Sequence, residues 1–303
     1  MIYEISHRTA YKYASPVTQS QHVVHLAPRS VDRQTVRHHS LLIEPAPTSR
    51  NDLTDCFGNP VTILGIGEEH SELLMHARST IEVRPRQKIN IEEGIPWERV
   101  VSLLLEKRSN NDDLDAIDCA TPSAVTQTTR QVFDYAEPSF SPGRPTLSAA
   151  WDLTCRIFHD FTFDPTATDV TTPVSRVLTD RRGVCQDFAH LALACLRAMR
   201  VPARYVSGYL LTRPPPGKPK LQGADASHAW VAVWTLEAGW VDFDPTNRVM
   251  PDEEHIAFAF GREYYDISPI SGVLLGGGRH TVSVGVDTRT LTERIQGDVG
   301  RSS

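Results

Sequence analysis

The chain has 303 residues and carries 31 Lys and Arg against 37 Asp and Glu, which gives a formal net charge of −6. This length is ample for a buried core in one large domain or two smaller ones. The acidic balance argues against a general nucleic-acid binder, which normally presents a basic face. No apolar run approaches the roughly 18–20 residues of a membrane helix, and the N-terminus lacks an apolar signal segment. We therefore expect no binding to nucleic acid or membranes.

The cysteines are odd in number and widely spread, and no two of them form a CxxC or CxxxC motif. They are Cys56, Cys119, Cys155, Cys185 and Cys195. This pattern predicts reduced thiols in a cytoplasmic protein rather than a disulfide framework or a cysteine zinc site. The histidines lack metal-ligand spacing and no EF-hand-like loop is present, so we expect neither a metal nor another cofactor.

The first part of the chain is typical of short β-strands with alternating polarity. Segments bounded by Pro, Asn and Gly cover residues 3–13, 22–28, 35–45, 60–67 and 72–85. Their spacing of about ten residues predicts an antiparallel β-sandwich-like domain, which we assign to residues 1–88.

The remaining residues, 89–303, are assigned to a second domain. Helical patterns dominate its first part, residues 96–160, although the acidic run at residues 112–118 is interpreted as a solvated stretch. Residues 161–247 mix one strong helix with several strands, and residues 248–303 form a C-terminal extension with a loop and one further strand. An extended loop is predicted over the proline-rich residues 213–220, and disorder over residues 297–303.

The most informative helix starts near Cys185. Apolar residues recur at helical spacing, and Val201-Pro202 ends the pattern; the stripe consists of Phe188, Leu191, Ala192, Cys195, Leu196 and Met199. Cys185 follows Gly183 and falls in the first turn, where unpaired backbone N–H groups and the helix dipole favour a thiolate. Cys195 lies on the buried stripe and is expected only to pack. Cys185 is therefore the candidate nucleophile.

Cysteine chemistry on an acyl carbon also needs a base and benefits from a carboxylate that orients it. Downstream, the strand Ser227-His-Ala-Trp-Val-Ala-Val-Trp234 and the segment Trp240-Val-Asp-Phe-Asp-Pro-Thr-Asn247 predict a hairpin. A turn centred on Leu236 places His228 opposite Asp244, whereas one centred on Glu237 places it opposite Thr246. A partner at Asp242 requires a less favourable turn. The spacing slightly favours Asp244 and leaves the choice open.

Three segments, GVCQDFAHLALACLRAMRVPARYVSGYL, ASHAWVAVW and GWVDFDPTN, resemble in this order the transglutaminase-like (transglutaminase core) superfamily of cysteine enzymes, in its bacterial stand-alone branch. The resemblance implies an α+β fold with a papain-like core, in which a cysteine-bearing helix packs on an antiparallel sheet bearing histidine and aspartate. It also implies an N-terminal β-domain before that core and a C-terminal extension after it. Carried over residue by residue, it makes Cys185 the nucleophile, His228 the base and Asp244 the orienting acid. It leaves open whether Asp242 shares the imidazole.

Further residues near these motifs are candidates for lining the site: Gln186, Tyr205, Ser207 and Trp230. Asp187 is interpreted as a capping carboxylate of the first helical turn, with an ion pair to Arg182 or Arg204 as the alternative. His190 lies about 140° around the helix from Cys185 and is interpreted as structural. The backbone N–H of Cys185 is the expected first oxyanion donor.

The resulting hypothesis is a cysteine enzyme that acts on carboxamide bonds of a peptide or protein substrate. Hydrolysis is favoured, because bacterial relatives are usually described as cysteine proteases, and transamidation of glutamine is the alternative. A rival class is a non-catalytic binding or assembly module that retains the fold. The N-terminal β-domain is a candidate surface for a partner, and the oligomeric state stays open.

Overall fold

A computed structural model of the chain describes residues 1–107, 111–211 and 227–291. The loop predicted over residues 213–220 and the disorder predicted over residues 297–303 lie outside the described residues. Within the described part, no helix combines the length and the apolar character needed to cross a membrane.

The elements follow one another from a strand-rich region to a helical one and back to strands. The first strands are β1 (Ile2–Val24), β2 (Gln34–Glu44), β3 (Ser49–Thr54), β4 (Pro60–Ile66) and β5 (His70–Val83). The central elements are α1 (Trp97–Lys107), α2 (Asn111–Cys119), α3 (Arg130–Ala136), α4 (Thr146–Asp160), β6 (Thr162–Phe163), α5 (Val174–Asp180), β7 (Arg182–Gly183) and α6 (Cys185–Ala198). The last are β8 (Ala203–Leu210), β9 (Ser227–Thr235), β10 (Gly239–Phe243), β11 (His255–Gly261), β12 (Ile270–Gly276) and β13 (His280–Thr290).

The first sheet is antiparallel and is organised around the long strand β1. On one edge of β1, β4 and β5 lie end to end; on the other edge, β12 and β13 do the same. β2 and β3 then extend the β5 and β4 side. The expected antiparallel N-terminal domain is confirmed, and its strands form one hydrogen-bonded sheet.

Two features of this sheet differ from the sequence-based expectation. β3 was missed because all six of its residues are exposed, so no buried face produces an alternating pattern. The C-terminal extension contributes three strands rather than one, and two of them, β12 and β13, pair with β1 instead of joining the second domain. Periodicity identifies a strand but carries no information about its partner, so this pairing was not visible in the sequence.

The second sheet carries the candidate site and has the strand order β10-β9-β8-β11. Helix α6 packs on one face, where it shares a core with Ala229, Val231 and Val233 of β9. On the opposite face, residues of β8 and β11 such as Tyr209 and Phe258 share a core with the first sheet. The predicted arrangement of a cysteine-bearing helix on an antiparallel sheet is therefore confirmed.

The acidic run at residues 112–118 is helical, and its described aspartates, Asp115 and Asp118, are exposed as expected of a solvated stretch. It lies within α2, where Ala116 and Cys119 are buried. The guanidinium of Arg197, which is itself buried in α6, donates to the backbone oxygen of Cys119 at 3.1 Å. An acidic helix can therefore pack here through its small apolar residues and its backbone.

Candidate active site

The start of α6 is held by a network around Asp187. Its Oδ2 accepts hydrogen bonds from the backbone N–H of Val184 at 2.8 Å and from the Thr168 hydroxyl at 2.6 Å. Gly183 allows this arrangement, because a Cβ at that position would lie 2.7 Å from Asp187 Oδ2. The predicted capping role of Asp187 is confirmed, whereas Arg182 pairs with another carboxylate. Cys185 is consequently the first residue of a helix whose entry is fixed.

Cys185 is half-buried, whereas the side chain of Asp187, two residues further along the helix, is buried. Burial raises the pKa of the Asp187 carboxyl above its ordinary value, although its hydrogen bonds from Thr168 and Val184 act in the opposite direction. The backbone N–H of Cys185 belongs to the first turn of α6, where N–H groups have no acceptor within the helix. This side of the site thus offers a thiol and a backbone donor together.

The sheet side of the site is formed by His228 near the start of β9 and Asp244 just after β10. His228 Nε2 and Asp244 Oδ2 are 2.7 Å apart, and both side chains are buried. Cys185 is a hydrogen-bond partner of the same imidazole. Since Nε2 is engaged by Asp244, Nδ1 is the nitrogen left for the thiol. The structure therefore brings Cys185, His228 and Asp244 together.

The hairpin register differs from the one that the spacing slightly favoured. Trp240 pairs with Trp234 and Gly239 pairs with Thr235, so the turn centres on Glu237. Gly239 adopts a positive φ of 64° at the end of this turn. In this register Asp244 does not lie directly opposite His228. It reaches the imidazole because the chain leaves β10 after Phe243 and turns, with Asp244 and Val249 forming an isolated bridge.

Asp244 is fully buried and accepts hydrogen bonds at both of its oxygens. Oδ2 accepts from His228, from His255 Nε2 at 3.0 Å and from Asn247 Nδ2 at 2.7 Å. Oδ1 accepts from the backbone N–H groups of Thr246 at 2.8 Å and Asn247 at 3.2 Å. A buried carboxylate is stable as an anion when donors of this kind surround it.

These contacts determine the charges of the pair. Burial disfavours the Asp244 anion, but its hydrogen bonds from His228 and His255 outweigh burial and hold the pKa of this carboxyl well below its ordinary value. Burial likewise disfavours the His228 imidazolium, yet hydrogen bonds to Asp244 and Cys185, with their charges, raise the pKa of His228 to about 10. The favoured state at neutral pH is a carboxylate next to an imidazolium.

Two of the residues expected to line the site lie next to Cys185. Tyr205 of β8 is buried, and burial raises its pKa well above the ordinary value, with the neighbouring Cys185 as the next cause. Gln186 is partly exposed and donates to the backbone oxygen of Val170 at 3.3 Å. His190 is structural, since it is buried and its Nε2 accepts from the backbone N–H of Tyr264 at 3.2 Å.

The other two lining candidates occupy different surroundings. Ser207 borders a narrow gap between the two sheets, lined also by His7 and Leu26. Trp230 is fully buried and lies against His228 and His255, with ring centroids 6.0 and 5.3 Å away, so it supports the imidazoles from behind and does not wall an open cleft.

The open question about Asp242 has a direct answer. Its Oδ2 lies 3.2 Å from Arg33, a residue of the segment before β2. It therefore forms an ion pair between the second sheet and the first region, whereas Asp244 is the carboxylate that contacts the imidazole.

Sequence reasoning missed His255 and Asn247. The sequence signal for Asn247 was its place in the turn after Pro245, where asparagine side chains commonly hydrogen-bond nearby groups. His255 carried only one local signal, a single polar side chain at the start of the otherwise apolar strand His255–Gly261. His228, Asp244 and His255 are also close enough to hold a metal ion. Their short mutual hydrogen bonds already satisfy these ligand atoms without one.

A half-exposed thiol at a helix start, next to an imidazole that is held by a buried carboxylate, defines a class of cysteine-dependent acyl-transfer sites. The chain matches two families in succession: the Bacterial transglutaminase-like N-terminal region over residues 3–82 and the Transglutaminase-like superfamily over residues 130–245. The chain belongs to the bacterial transglutaminase-like proteins.

Similar proteins cover nearly the whole chain. The uncharacterized protein Rv2569c of Mycobacterium tuberculosis is 39% identical over 94% of this chain and 91% of its own length. A crystal structure of a "Putative Cysteine Protease" from Cytophaga hutchinsonii has a TM-score of 0.74 and 22% identity, covering 96% of this chain and 91% of that one, and shows the shared fold. Over 37% of this chain and 17% of its own length, the Protein-glutamine gamma-glutamyltransferase of Pseudomonas aeruginosa is 34% identical.

Proposed function

We propose that this chain is a cysteine acyl-transfer enzyme that cleaves carboxamide bonds in peptides or proteins, with Cys185 as nucleophile, His228 as base and Asp244 as orienting acid. The observation that carries the proposal is the contact of one buried imidazole with both the Cys185 thiol and the Asp244 carboxylate. An imidazole in contact with a thiol can take its proton, and a thiolate next to an imidazolium is the reactive form of such a pair.

The proposed reaction has two steps. The Cys185 thiolate attacks the carbonyl carbon and forms a C–S bond, while the backbone N–H of Cys185 stabilises the oxyanion. The C–N bond then breaks, and the His228 imidazolium gives its proton to the departing amine, which leaves a thioester. Water attacks the thioester as His228 takes its proton, the C–S bond breaks, and the acid leaves with the thiolate and imidazolium restored.

The acceptor of the thioester separates hydrolysis from transamidation. We favour water, which makes the enzyme a protease, amidase or deamidase. The similarity to a protein-glutamine gamma-glutamyltransferase over residues of the core supports a primary amine as the alternative acceptor. Hydrolysis and transamidation share the same thioester, so they differ only in whether water or an amine attacks it.

The test is a screen of peptides and glutamine-containing proteins, with and without a primary amine, followed by mass spectrometry. Hydrolysis gives cleaved or deamidated products in both conditions, whereas transamidation gives amine adducts only when the amine is present. The C185A variant must be inactive, and C195A is the matched control from the same helix. Equal product formation by C185A and the unaltered enzyme would contradict the proposal.

We also propose that the enzyme works in a reducing compartment, the cytoplasm. All five cysteines are free thiols, and an oxidising compartment would expose the half-buried Cys185 to inactivation. Cell fractionation with an antibody against the chain tests this proposal, and recovery in an oxidising compartment would contradict it.

A further inference from the structure

The proposed reaction assigns no role to His255, although this residue contacts Asp244. It is the first residue of β11, it is buried, and its Nε2 lies 3.0 Å from Asp244 Oδ2. The same oxygen accepts from His228 at 2.7 Å. One carboxylate oxygen therefore connects two imidazoles from different strands.

The surroundings of His255 fix the ring in this contact. Its ring packs edge-on against Trp230 with centroids 5.3 Å apart, and its backbone N–H donates to the backbone oxygen of Asp252 at 3.1 Å. In the part of the chain that the structure describes, the titratable side chains in contact with the ring are His228 and Asp244. Because a carboxylate only accepts hydrogen bonds, His255 Nε2 carries the proton and donates.

The two oxygens of the Asp244 carboxylate accept hydrogen bonds from different donors. Backbone N–H groups of Thr246 and Asn247 hold Oδ1. Oδ2 accepts from Asn247 Nδ2 at 2.7 Å and from His255 Nε2 at 3.0 Å, and the His255 donor comes from β11. The torsion about the last bond of an aspartate is broad, so each donor removed from Oδ2 increases the rotational freedom of the carboxylate.

We propose that His255 is a positioning residue, which holds the Asp244 carboxylate so that Oδ2 faces His228 in the acyl-transfer reaction. This inference rests on the proposed function, in which Asp244 orients His228. Without His255, Asp244 turns more freely, the imidazolium of His228 loses part of its partner, and the Cys185 thiolate loses part of its counter-charge.

The experiment follows alkylation of Cys185 by iodoacetamide as a function of pH, with the Cys185 peptide quantified by mass spectrometry to separate it from the other cysteines. This readout needs no identified substrate. The variants are H255F, which keeps a ring without a donor, and H255Q, which restores an N–H donor. H22F is the matched control, since His22 is a buried strand histidine of the first sheet whose Nε2 makes no hydrogen bond among the described residues.

We expect H255F to lower the Cys185 alkylation rate at pH 7 by about tenfold, the effect of losing a hydrogen bond to a charged group. The pH at which the rate reaches half its maximum should rise, because the thiolate is less stabilised. H255Q should remain within about threefold of the unaltered enzyme, and H22F should match it. H255A, which removes the donor without added bulk, replaces H255F in this comparison if thermal unfolding shows that H255F does not fold.

Three outcomes would overturn the proposal. An unchanged pH profile in H255F would make His255 a packing residue. A downward shift of the half-maximal pH would mean that the His255 hydrogen bond weakens the interaction of the Asp244 charge with His228 instead of aligning Asp244. Equal loss in H255Q and H255F would show that the ring, and not the donor, matters.

A failed substrate screen with an altered H255F profile would instead reject the enzymatic proposal and keep the positioning role.

Discussion

The helix side and the sheet side of the site each place a buried carboxylate near a reactive group, and the two carboxylates behave in opposite ways. Asp187 accepts from one backbone N–H and one hydroxyl, and burial raises the pKa of its carboxyl. Asp244 is more deeply buried, yet the pKa of its carboxyl is lowered. Burial alone therefore does not decide the charge of a carboxylate in this molecule.

The difference comes from the donors. Asp244 receives hydrogen bonds from two imidazoles, one side-chain amide and two backbone N–H groups, and one imidazole is cationic. Among the described residues, the donors to Asp187 are neutral, so we assign it the role of fixing the start of α6. The sheet side thus supplies the charged pair of Asp244 and His228, whereas the helix side supplies a partly exposed thiol at a fixed position. The following variants test this division.

The largest effect is expected at the thiol. C185A should reduce product formation to the uncatalysed rate and abolish labelling of the residue 185 peptide, because the proposed thioester forms on the Cys185 sulfur. Turnover and iodoacetamide labelling measure both effects. C195A should leave them intact, since Cys195 is completely buried and burial raises its pKa to about 12. Loss of activity in C195A would remove the distinction between the two ends of α6.

The next largest effect is expected at the carboxylate of the sheet side. D244N keeps the shape of the side chain but replaces an anion with an amide, so His228 loses its counter-charge. By analogy with other cysteine and serine triads we expect kcat/KM to fall by about 10³–10⁴-fold. Steady-state kinetics measure this loss. D187N, the matched change on the helix side, should cost less than about tenfold. Equal losses in the two variants would contradict the division of roles.

The charge of the sheet side should also appear in the pH dependence of stability. The pKa of His228 rises from 6.5 to about 10 on folding, so its contribution is complete below about pH 6.5 and is lost as the pH rises toward 10. The difference in unfolding free energy between the unaltered protein and H228F should shrink over this interval. Urea titrations at several pH values measure this difference.

His190 provides a control of opposite sign. Burial lowers the pKa of His190 to about 4, with the charge of Arg197 as the second cause. A group whose pKa is lowered on folding costs stability as the pH falls, so the difference between the unaltered protein and H190F should decrease from about pH 6.5 toward pH 4. A pH-independent difference for both histidines would contradict the charges inferred for the site.

The smallest effect is expected for the stability of the helix start. D187A removes the acceptor for the backbone N–H of Val184 and for the Thr168 hydroxyl. Loss of such a capping interaction costs about 1 kcal/mol. Urea unfolding measures this cost, and T168V, which removes only the hydroxyl contact, should cost less. A D187A protein with unaltered stability would mean that α6 begins at Cys185 without help from Asp187.

Features that depend on neighbouring residues in the chain could be predicted. The helical spacing from Phe188 to Met199 predicted α6. Gly183 placed Cys185 at the start of this helix, and Val201-Pro202 marked its end. The alternating segments predicted most of the antiparallel first sheet. β3 was not predicted because it is exposed on every residue, and the two-sheet role of the C-terminal extension was not predicted because strand pairing is non-local.

The grouping of Cys185, His228 and Asp244 required more than the local pattern. The spacing of the hairpin left Asp244, Thr246 and Asp242 as alternatives, and the resemblance to transglutaminase-like proteins favoured Asp244. The structure brings Asp244 to the imidazole in a register that the spacing did not favour, and it pairs Asp242 with Arg33. Turn geometry at Gly239 decides this register, and one residue of shift changes every cross-strand neighbour.

The chain itself therefore specifies the candidate nucleophile Cys185, its helix and the strand that carries His228, because these features depend on short-range periodicity and capping. Tertiary structure alone supplies His255, which comes from β11 to share an oxygen of Asp244 with His228. It also supplies the buried surroundings in which those hydrogen bonds determine charge. Both depend on contacts between strands distant in sequence, and a buried anion is stable only where such contacts converge.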